Sequence, residues 1–336
     1  MREPPADLTE TEVLSALRAG WDIDSGEIEF LPVGAGSHHW SVAQRWFVKV
    51  DDLGFTPEGR ASELDRVRRS LLTAASLHDD SGLDFVLAPI PDETGAVIRR
   101  LSPRYALSLY PLLNGVSGPF APHPTEDRHD IAELLARLHT ASPQAVAGLH
   151  VITPRLDLRV PGRDNLEVAL SELHQPWKAG PYSAEARELL ASRADDVRQW
   201  LTDYDRLAAE QPQRWVLTHG EPHPGNFLRT ATGRFLIDWN TVAIAPPERD
   251  LWMLTSRFAG MLGERPDGDD REVLRHYEAR TGHKVSETAL NLYPLRWAIS
   301  DIAIFVDELR RGEDLPDSLT YLRGYLNPTE PGRSPT

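Results

Sequence analysis

The chain has 336 residues, of which 40% are hydrophobic and 26% are charged, a composition typical of a globular protein with one large or two medium domains. It contains no cysteine, which excludes disulfides, thiolate metal sites and a cysteine nucleophile. The formal net charge of −15 argues against a nucleic-acid ligand, because such binding depends on Lys and Arg side chains. We therefore expect a small-molecule substrate and no nucleic-acid partner.

The sequence also lacks membrane signals. No stretch approaches the ~20 consecutive apolar residues that a membrane span requires, and residues 1–5 have no apolar run of the kind found in signal peptides. These observations predict a cytoplasmic protein with no membrane partner, either a monomer or a homodimer. The acidic charge would attract a cationic substrate, although acidity also serves solubility.

The first part of the chain, to about residue 113, has the pattern of a small β-rich lobe with one helix. A glycine-containing turn at residues 34–37 separates its first two strands. Residues 59–78 have helical spacing with one apolar stripe. The β-type runs are residues 28–33, 40–43, 46–50, 84–90, 96–101 and 105–113.

After a connector at residues 114–119 the pattern becomes mostly helical. The helical segments are residues 130–139, 184–209 and 286–311, and the short strands are residues 215–218, 226–229 and 235–237, with a hairpin turn at 231–233. The sequence therefore predicts an α+β fold with a small N-terminal antiparallel sheet lobe at residues 1–113, a larger mainly helical lobe at residues 114–326, and a flexible tail at residues 327–336.

The most informative segment is HGEPHPGN at residues 219–226, followed by IDW at residues 237–239. Gly and Pro prevent a regular helix there, so Glu221 and Asn226 are presented from an irregular loop, and Asp238 follows a strand. Two carboxylates and an amide oxygen are hard ligands. They suit Mg²⁺, which keeps several waters and shares its remaining positions with phosphate oxygens.

These motifs resemble those of the aminoglycoside phosphotransferase family, whose members are relatives of the protein kinases. The kinase catalytic loop has its base five residues before a metal-binding Asn, and Glu221 and Asn226 keep that interval. The resemblance implies a protein-kinase-like two-lobed fold that binds the nucleotide on the N-terminal lobe. It assigns the substrate hydroxyl to Glu221, the shaping of the loop to His219, and Mg²⁺ to Asn226 and Asp238.

Two positions depart from the family pattern. The family usually has Asp where this chain has Glu221, and the longer side chain shifts the carboxylate outward. Phosphoryl transfer has a loose transition state in most analyses, so the base acts mainly by positioning, and a Glu can serve. Asn240 stands where many relatives carry another acid. A catalytically inactive, nucleotide-binding relative is therefore one alternative.

The N-terminal lobe provides a second match to the kinase pattern, in which a glycine turn between two strands precedes a lysine on the third. The resemblance assigns nucleotide binding to Gly34, Gly36 and Ser37 of the turn and to Lys49, which would pair with the α- and β-phosphates. The third glycine of the kinase pattern is absent. Glu63, on the helix that follows, is the first predicted acidic partner of Lys49, and Asp65 and Glu58 are the alternatives.

Further residues are assigned by the same resemblance. Tyr110 and Leu112 lie in the segment similar to the family's hinge, and we expect them to contact the nucleotide base. Asp250 is predicted to brace the catalytic loop. Trp297 and Asp301, on the helical segment 286–311, are the predicted contacts of the substrate.

The motifs HGEPHPGN, LIDW and PPERDLWML are most similar to those of spectinomycin phosphotransferases. The resemblance predicts an O-phosphotransferase that uses ATP or GTP and Mg²⁺ to modify a hydroxyl of a small cationic molecule, such as an aminocyclitol or aminoglycoside antibiotic, and so confers antibiotic resistance. Choline, homoserine, a nucleoside antibiotic or a peptide antibiotic are alternative acceptors.

A metal-dependent hydrolase is the alternative from another class. Its basis is the pair His219 and His223, four residues apart as in helical zinc sites. Gly220 and Pro222 break the helix that such a site requires, and the hydrolase would have no use for Lys49. The phosphotransferase is therefore the preferred interpretation.

Overall fold

The computed structural model describes residues 3–34, 36–141, 152–211, 214–264, 268–313 and 317–327. Residue contacts divide the chain into two units. The first comprises Met1–Gly118, Thr140–Pro154 and Asn226–Ala243, and the second comprises Pro119–His139, Arg155–Gly225 and Ile244–Thr336. Beyond Asn327, the tail predicted to be flexible lies outside the described residues.

The first unit is built on a five-stranded antiparallel sheet between two helices. The strands are β1 (Ile28–Leu31), β2 (Ser37–Val42), β3 (Trp46–Asp52), β4 (Arg99–Arg100) and β5 (Tyr105–Pro111), in the order β1-β2-β3-β5-β4. Helix α1 (Glu10–Trp21), which begins with a capping box from Thr9, packs against one face, and α2 (Pro57–Asp79) packs against the other.

Strand β3 divides its side chains between these two faces. Val48 and Val50 are buried in the cluster that contains Leu17 of α1, whereas Phe47 packs against the cluster that contains α2. Because successive residues of a strand point to opposite faces, Lys49 shares the face of Phe47. Lys49 therefore lies on the α2 side of the sheet.

Two runs predicted as strands are largely irregular. Residues 84–90 form a single bridge, between Val86 and Leu236, and only Arg99–Arg100 within residues 96–101 pair as a strand. Phe85 accepts a main-chain hydrogen bond from Leu236, and Leu87 donates one back to it. The apolar runs were correct indicators of burial but wrong indicators of strand pairing, because buried extended backbone can satisfy its groups one by one.

A second sheet of the first unit includes the two strands that lie between Asn226 and Asp238, the predicted metal ligands, in the sequence. Its strands are β6 (Gly115–Ser117), β8 (Phe227–Thr230) and β9 (Gly233–Leu236), in the order β6-β8-β9. The predicted hairpin between the last two is confirmed, with Thr230 opposite Gly233. The predicted connector 114–119 is in part strand β6. The short 3₁₀ helix Trp239–Thr241 follows β9 after Asp238.

The second unit is mainly helical. Its helices are α3 (Arg128–His139), α4 (Arg163–Ser171), α5 (Ser183–Ser192), α6 (Ala194–Ala209), α7 (Glu248–Leu251), α8 (Ser256–Met261), α9 (Asp270–Thr281), α10 (Glu287–Arg311) and α11 (Ser318–Leu326). Three short 3₁₀ helices are Thr125–Asp127, Pro224–Asn226 and Trp252–Leu254, and strand β7 (Val216–Thr218) pairs with β10 (Ala243–Ala245).

Helix α10 organises this unit by packing against α4, α5, α6 and α11. It matches the predicted helix 286–311, and Ser286 is its N-cap. The predicted helix 184–209 is broken at Arg193 into α5 and α6. Among the described residues, no helix combines the length and apolar character needed to cross a membrane.

Candidate active site

The ammonium group of Lys49 contacts two carboxylates. Its Nζ atom is 3.2 Å from Oδ1 of Asp238 and 3.5 Å from Oδ1 of Asp51. Burial alone would lower the pKa of Lys49, but the charges of Asp51 and Asp238 outweigh that effect and raise it. The lysine is therefore a fixed positive charge. Its contact with Asp238 joins residues 189 positions apart in the sequence.

Glu63, the predicted acidic partner of Lys49, binds a residue of its own helix. Its two carboxylate oxygens accept hydrogen bonds from Nε and Nη2 of Arg66 at 2.8 and 2.6 Å. Among the described residues, the ion-pair partners of Lys49 are Asp51 and Asp238, so the predicted Lys49–Glu63 pair is corrected. Asp51 was detectable from sequence, because it lies two residues after Lys49 and so on the same face of the strand.

The glycine turn before β2 adopts a backbone that glycine favours. Gly34 and Gly36 have φ angles of 68° and 82°, in the left-handed region, and Ala35 lies outside the described residues. The hydroxyl of the buried Ser37 donates a 2.7 Å hydrogen bond to Oδ1 of Asp51. The second oxygen, Oδ2 of Asp51, is buried without a hydrogen-bond partner in the described part of the chain.

His39 is a buried neutral residue beside this cluster that sequence reasoning missed. It lies opposite Lys49 in the β2–β3 register, and its ring stacks on Phe47 at a centroid distance of 5.1 Å. Its Nδ1 is 2.9 Å from the carbonyl oxygen of Val33. Burial lowers the pKa of His39 to about 4, so the ring is uncharged near neutral pH.

Asp238 and Asn226, the predicted metal ligands, are linked through the main chain. The amide of Ile237 donates to the carbonyl of Asn226 at 2.9 Å, which places the two predicted ligands on hydrogen-bonded segments. Asp238 has a left-handed backbone, with φ of 59°, and its side chain is 46% exposed. A left-handed non-glycine residue of this kind is found mainly where function or local bonding requires it.

The oxygen donors of this cluster fit Mg²⁺. No group of three His, Cys, Asp or Glu side chains within the described ranges could hold a metal ion by itself. Mg²⁺ commonly binds one or two protein oxygens and completes its coordination with water and phosphate. The amide of Asn226 and the partly exposed carboxylate of Asp238 have that chemistry, whereas sites for Zn²⁺ or Cu²⁺ favour imidazole or thiolate ligands.

Tyr110 and Leu112, the predicted base contacts, lie at the end of β5. Tyr110 is buried, which raises its pKa to about 12, and its ring meets Phe47 edge-on at 6.4 Å. The amide of Leu112 donates to the carbonyl of Arg45 at 2.8 Å. Their contact with a nucleotide base stays a prediction.

In the second unit, Asp250 braces the loop that carries Glu221, as the sequence predicted. Its Oδ2 accepts from the main-chain amide of His219 at 2.8 Å and its Oδ1 accepts from that of Gly220 at 2.6 Å. The Nε2 atom of His139 is 3.0 Å from Oδ2. Burial would raise the pKa of Asp250, but the hydrogen bond and charge of His139 and the charge of Arg249 hold it low.

Arg249 lies beneath the same loop and was not found from sequence. Its Nη1 donates to Oγ1 of Thr218 at 2.8 Å, and a Cβ added at Gly220 would lie 2.2 Å from its Nη2. Gly220 has φ of 103°, so space and backbone both require glycine. Burial lowers the pKa of Arg249, and the charge of Glu221 acts in the opposite direction. The amide of Glu221 donates to Nδ1 of His219 at 3.3 Å, which gives His219 its loop-shaping contact.

The predicted substrate residues of α10 lie among aromatic side chains of the second unit. Trp297 is 5.7 Å, between ring centroids, from Phe120, which meets His223 edge-on at 4.7 Å. The carboxylate of Asp301 accepts a 2.6 Å hydrogen bond from the hydroxyl of Tyr325. Burial raises the pKa of Asp301, because it removes water that would stabilise the charged carboxylate.

Sequence comparison identifies the family to which these motifs belong. Residues 39–287 match the profile of the family described as Phosphotransferase enzyme family. Protein StrN of Streptomyces griseus is 32% identical over 268 residues, which cover 75% of each chain. The matched range includes Lys49, Asp51, Asn226 and Asp238, here called the Lys49 cluster, and the loop of Glu221.

Structural comparison supports the fold. Spectinomycin phosphotransferase APH(9)-Ia, solved with ADP and spectinomycin, superposes with a TM-score of 0.72 and 18% identity over 97% of this chain and 96% of that chain. The GDP and kanamycin complex of APH(2")-IIia superposes with a TM-score of 0.60 and 16% identity, over 96% of this chain and 98% of that chain. The predicted α+β, protein-kinase-like fold is therefore confirmed, and the hydrolase alternative is set aside.

The match over most of the chain, together with a strand lysine bonded to the aspartate of the IDW motif, leads to one assignment. The chain belongs to the Phosphotransferase enzyme family, and it is a phosphotransferase that acts on a hydroxyl group.

Proposed function

We propose that this enzyme transfers the γ-phosphate of ATP or GTP, in the presence of Mg²⁺, to a hydroxyl of a small cationic antibiotic of the aminocyclitol or aminoglycoside class, such as spectinomycin. The observation that carries the proposal is the contact between Lys49 and Asp238. A phosphoryl-transfer site needs a cation for the phosphates and a carboxylate for the metal, held together. The cytoplasm, which contains nucleoside triphosphates, would be its place of action.

On the phosphate side, each member of the Lys49 cluster has a distinct role. When bound, Mg²⁺ supplies positive charge that neutralises the phosphate oxygens. Asn226 and Asp238 would hold it, and Lys49 would pair with the α- and β-phosphates. Asp51 keeps Lys49 charged and oriented when Asp238 turns toward the metal, because it is a second carboxylate on the same ammonium group.

On the acceptor side, Glu221 orients the hydroxyl group and accepts its proton. The acceptor oxygen forms a bond to the γ-phosphorus, and the bond from that phosphorus to the bridging oxygen of the nucleotide breaks, releasing the nucleoside diphosphate. The loop of Glu221 is pre-positioned by Asp250, whose two oxygens hold the preceding amides. Preorganisation of this kind is the main source of catalysis in phosphoryl transfer.

The choice of a cationic acceptor rests on α10 and on total charge. Trp297 offers an aromatic face of the kind that binds cations, and Asp301 is a half-buried carboxylate that would gain from a positively charged partner. The net charge of −15 favours the approach of a cation. The spectinomycin bound to the structurally similar APH(9)-Ia supports the same class.

The test is phosphorylation of a panel of acceptors by the purified protein. Nucleoside diphosphate release with ATP or GTP would be measured with and without Mg²⁺ against spectinomycin, streptomycin, kanamycin, hygromycin, choline and homoserine. Mass spectrometry would detect the gain of one phosphoryl group, about 80 Da, on the acceptor. We expect Mg²⁺-dependent turnover with spectinomycin or another aminocyclitol or aminoglycoside.

Other outcomes separate the parts of the proposal. Turnover with choline or homoserine alone would overturn the antibiotic class and keep the reaction. Mg²⁺-dependent nucleotide binding without turnover of any acceptor, in wild type and in Glu221→Asp alike, would favour an inactive relative. Turnover that persists without divalent metal would contradict the roles of Asn226 and Asp238.

A further inference from the structure

We propose that Arg66 is a positioning residue for the turn that carries Asp238, because its guanidinium connects Glu63 of α2 with the main-chain carbonyl of Asn240. The inference deepens the proposed function and rests on it only where a metal-dependent rate is measured. Its structural content concerns the first unit alone. The sequence alone assigned this role to neither Arg66 nor Glu63.

The geometry uses both sides of the planar guanidinium. Nε and Nη2 donate to the two oxygens of Glu63, and Nη1 donates to the carbonyl oxygen of Asn240 at 2.5 Å. Nε and Nη2 thus fix the side chain on its own helix, while Nη1 reaches the turn. A lysine has a single nitrogen on a flexible stem and cannot reproduce this arrangement.

The turn held by Arg66 is short and strained. Asp238 has its left-handed backbone, and the amide of Val242 donates to the carbonyl of Trp239 at 3.1 Å, which closes the turn. The hydroxyl of Ser70, on α2, lies 3.4 Å from the same carbonyl oxygen of Asn240. A residue in a sparsely populated conformation persists only where several surrounding contacts hold it. Of the two side-chain contacts to the carbonyl of Asn240, that of Arg66 is charged and therefore stronger than that of Ser70.

Arg66 also acts electrostatically on the cluster. The pKa of Arg66 is raised first by the hydrogen bonds that it donates to Glu63 and further by the charges of Asp51 and Asp238. Its positive charge is therefore felt by the same carboxylates that bind Lys49. Loss of Arg66 removes both a hydrogen bond to the turn and a positive charge near Asp51 and Asp238.

A matched control exists on the same helix. Arg68 pairs with Asp65 at 2.6 Å with the same three-residue spacing as Arg66 and Glu63. In the described part of the chain, both the hydrogen bond and the ion pair of Arg68 go to Asp65. Exposed pairs of this kind contribute ~0–1 kcal/mol, so Arg68→Ala reports what an ordinary surface pair does.

The first measurement is hydrogen–deuterium exchange of peptides covering residues 236–243 in the protein without nucleotide. We expect exchange in Arg66→Ala to be about tenfold faster than in wild type, the scale of one charge-assisted hydrogen bond. Arg66→Lys keeps the charge and should show most of the same increase, and Arg68→Ala should match wild type. Unchanged exchange in Arg66→Ala, or equal increases in Arg66→Ala and Arg68→Ala, would overturn the proposal.

The second measurement is the metal dependence of turnover. The Mg²⁺ concentration that gives half the maximal rate should rise about tenfold in Arg66→Ala, with the KM of the acceptor unchanged. Loss of a contact worth about 1.4 kcal/mol changes an equilibrium constant by that factor. A rise in acceptor KM alone would contradict positioning of Asp238. If wild type shows no phosphotransfer but the exchange result holds, the proposed function fails and the positioning role stands.

Discussion

The Lys49 cluster of the first unit and the surroundings of Asp250 in the second unit both place positive or N–H groups around a carboxylate. The two carboxylates, Asp238 and Asp250, differ in their exposure to solvent. Asp250 is 0% exposed, and both of its oxygens are occupied by N–H donors. The side chain of Asp238 is 46% exposed, and Lys49, which binds it, has Asp51 as a second partner.

This difference separates a carboxylate that can only hold the backbone from one that can exchange partners. A buried carboxylate whose oxygens are both hydrogen-bonded cannot bind a metal ion without losing those bonds. A half-exposed carboxylate with a shared counter-ion can change partner at small cost. Substitutions in the two clusters should therefore affect different quantities.

The largest effect is expected for Asp238→Ala, which should lower kcat at saturating Mg²⁺ by about 10³-fold or more, about 4 kcal/mol, because a preorganised charge at the transferring phosphoryl group is lost. The thermal midpoint should change little, since Lys49 keeps Asp51. Steady-state kinetics and thermal unfolding provide both values. Asp195→Ala, at a fully exposed acid, is the control. Activity near that of wild type would show that Asp238 does not bind the metal.

Asp250→Ala should show the opposite pattern, with a loss of about 3 kcal/mol in the free energy of unfolding measured by urea titration. The magnitude follows from stranding buried donors that had a charged acceptor. Asp250→Asn keeps the volume and one acceptor, so its loss should be smaller. A variant that unfolds like wild type but is inactive would mean that Asp250 acts in the reaction and not through the loop.

Glu221→Gln sharpens the comparison within the loop, because it removes the carboxylate proposed to act on the acceptor and leaves the Asp250 brace intact. We expect kcat to fall by about 10²-fold, the lower range for a general base, with the free energy of unfolding unchanged. Glu221→Asp keeps a carboxylate and should retain part of the activity. Equal activity of Glu221→Gln and wild type would remove the base from the mechanism.

The smallest effect concerns pH and His39. The folded pKa of about 4 lies below the usual 6.5, so the unfolded chain binds more protons between these values and stability falls as pH decreases. From pH 7 to pH 5 the contribution of His39 to this fall should be about 2 kcal/mol. His39→Gln should remove that part of the slope, whereas the same substitution at the exposed His174 should not. Parallel slopes in wild type and His39→Gln would exclude a buried neutral ring.

Local chemistry made part of the site predictable. Lys49, Asn226 and Asp238 were predicted from the order of motifs that resembles the kinase pattern, with Lys49 on the third strand, and their roles stay predictions. Asp250 was predicted as a brace because it follows the IDW motif at a helix start. Asp51 could have been found by the two-residue period of a strand. The prediction relied on helix position instead, and therefore selected Glu63.

Other contacts had no local signal. Arg66 reaches a carbonyl 174 positions away, and Arg249 bonds Thr218, which lies 31 positions before it. Arginine on an exposed helix is common, and nothing in its neighbours indicates which backbone group it will meet. The irregular segments 84–90 and 96–101 failed as strands for the same reason, since pairing depends on a partner that the segment itself does not specify.

The sequence by itself determined the family, the order of the motifs, the β-rich and helical parts of the chain and the residue types that can hold phosphate and metal, because these follow from short-range pattern and chemistry. Only the tertiary structure decided which carboxylates neutralise Lys49, which carboxylate is fully buried and which is partly exposed, and which side chains hold the two loops. Those choices depend on distances between residues far apart in the chain, and such distances exist only once the backbone has folded.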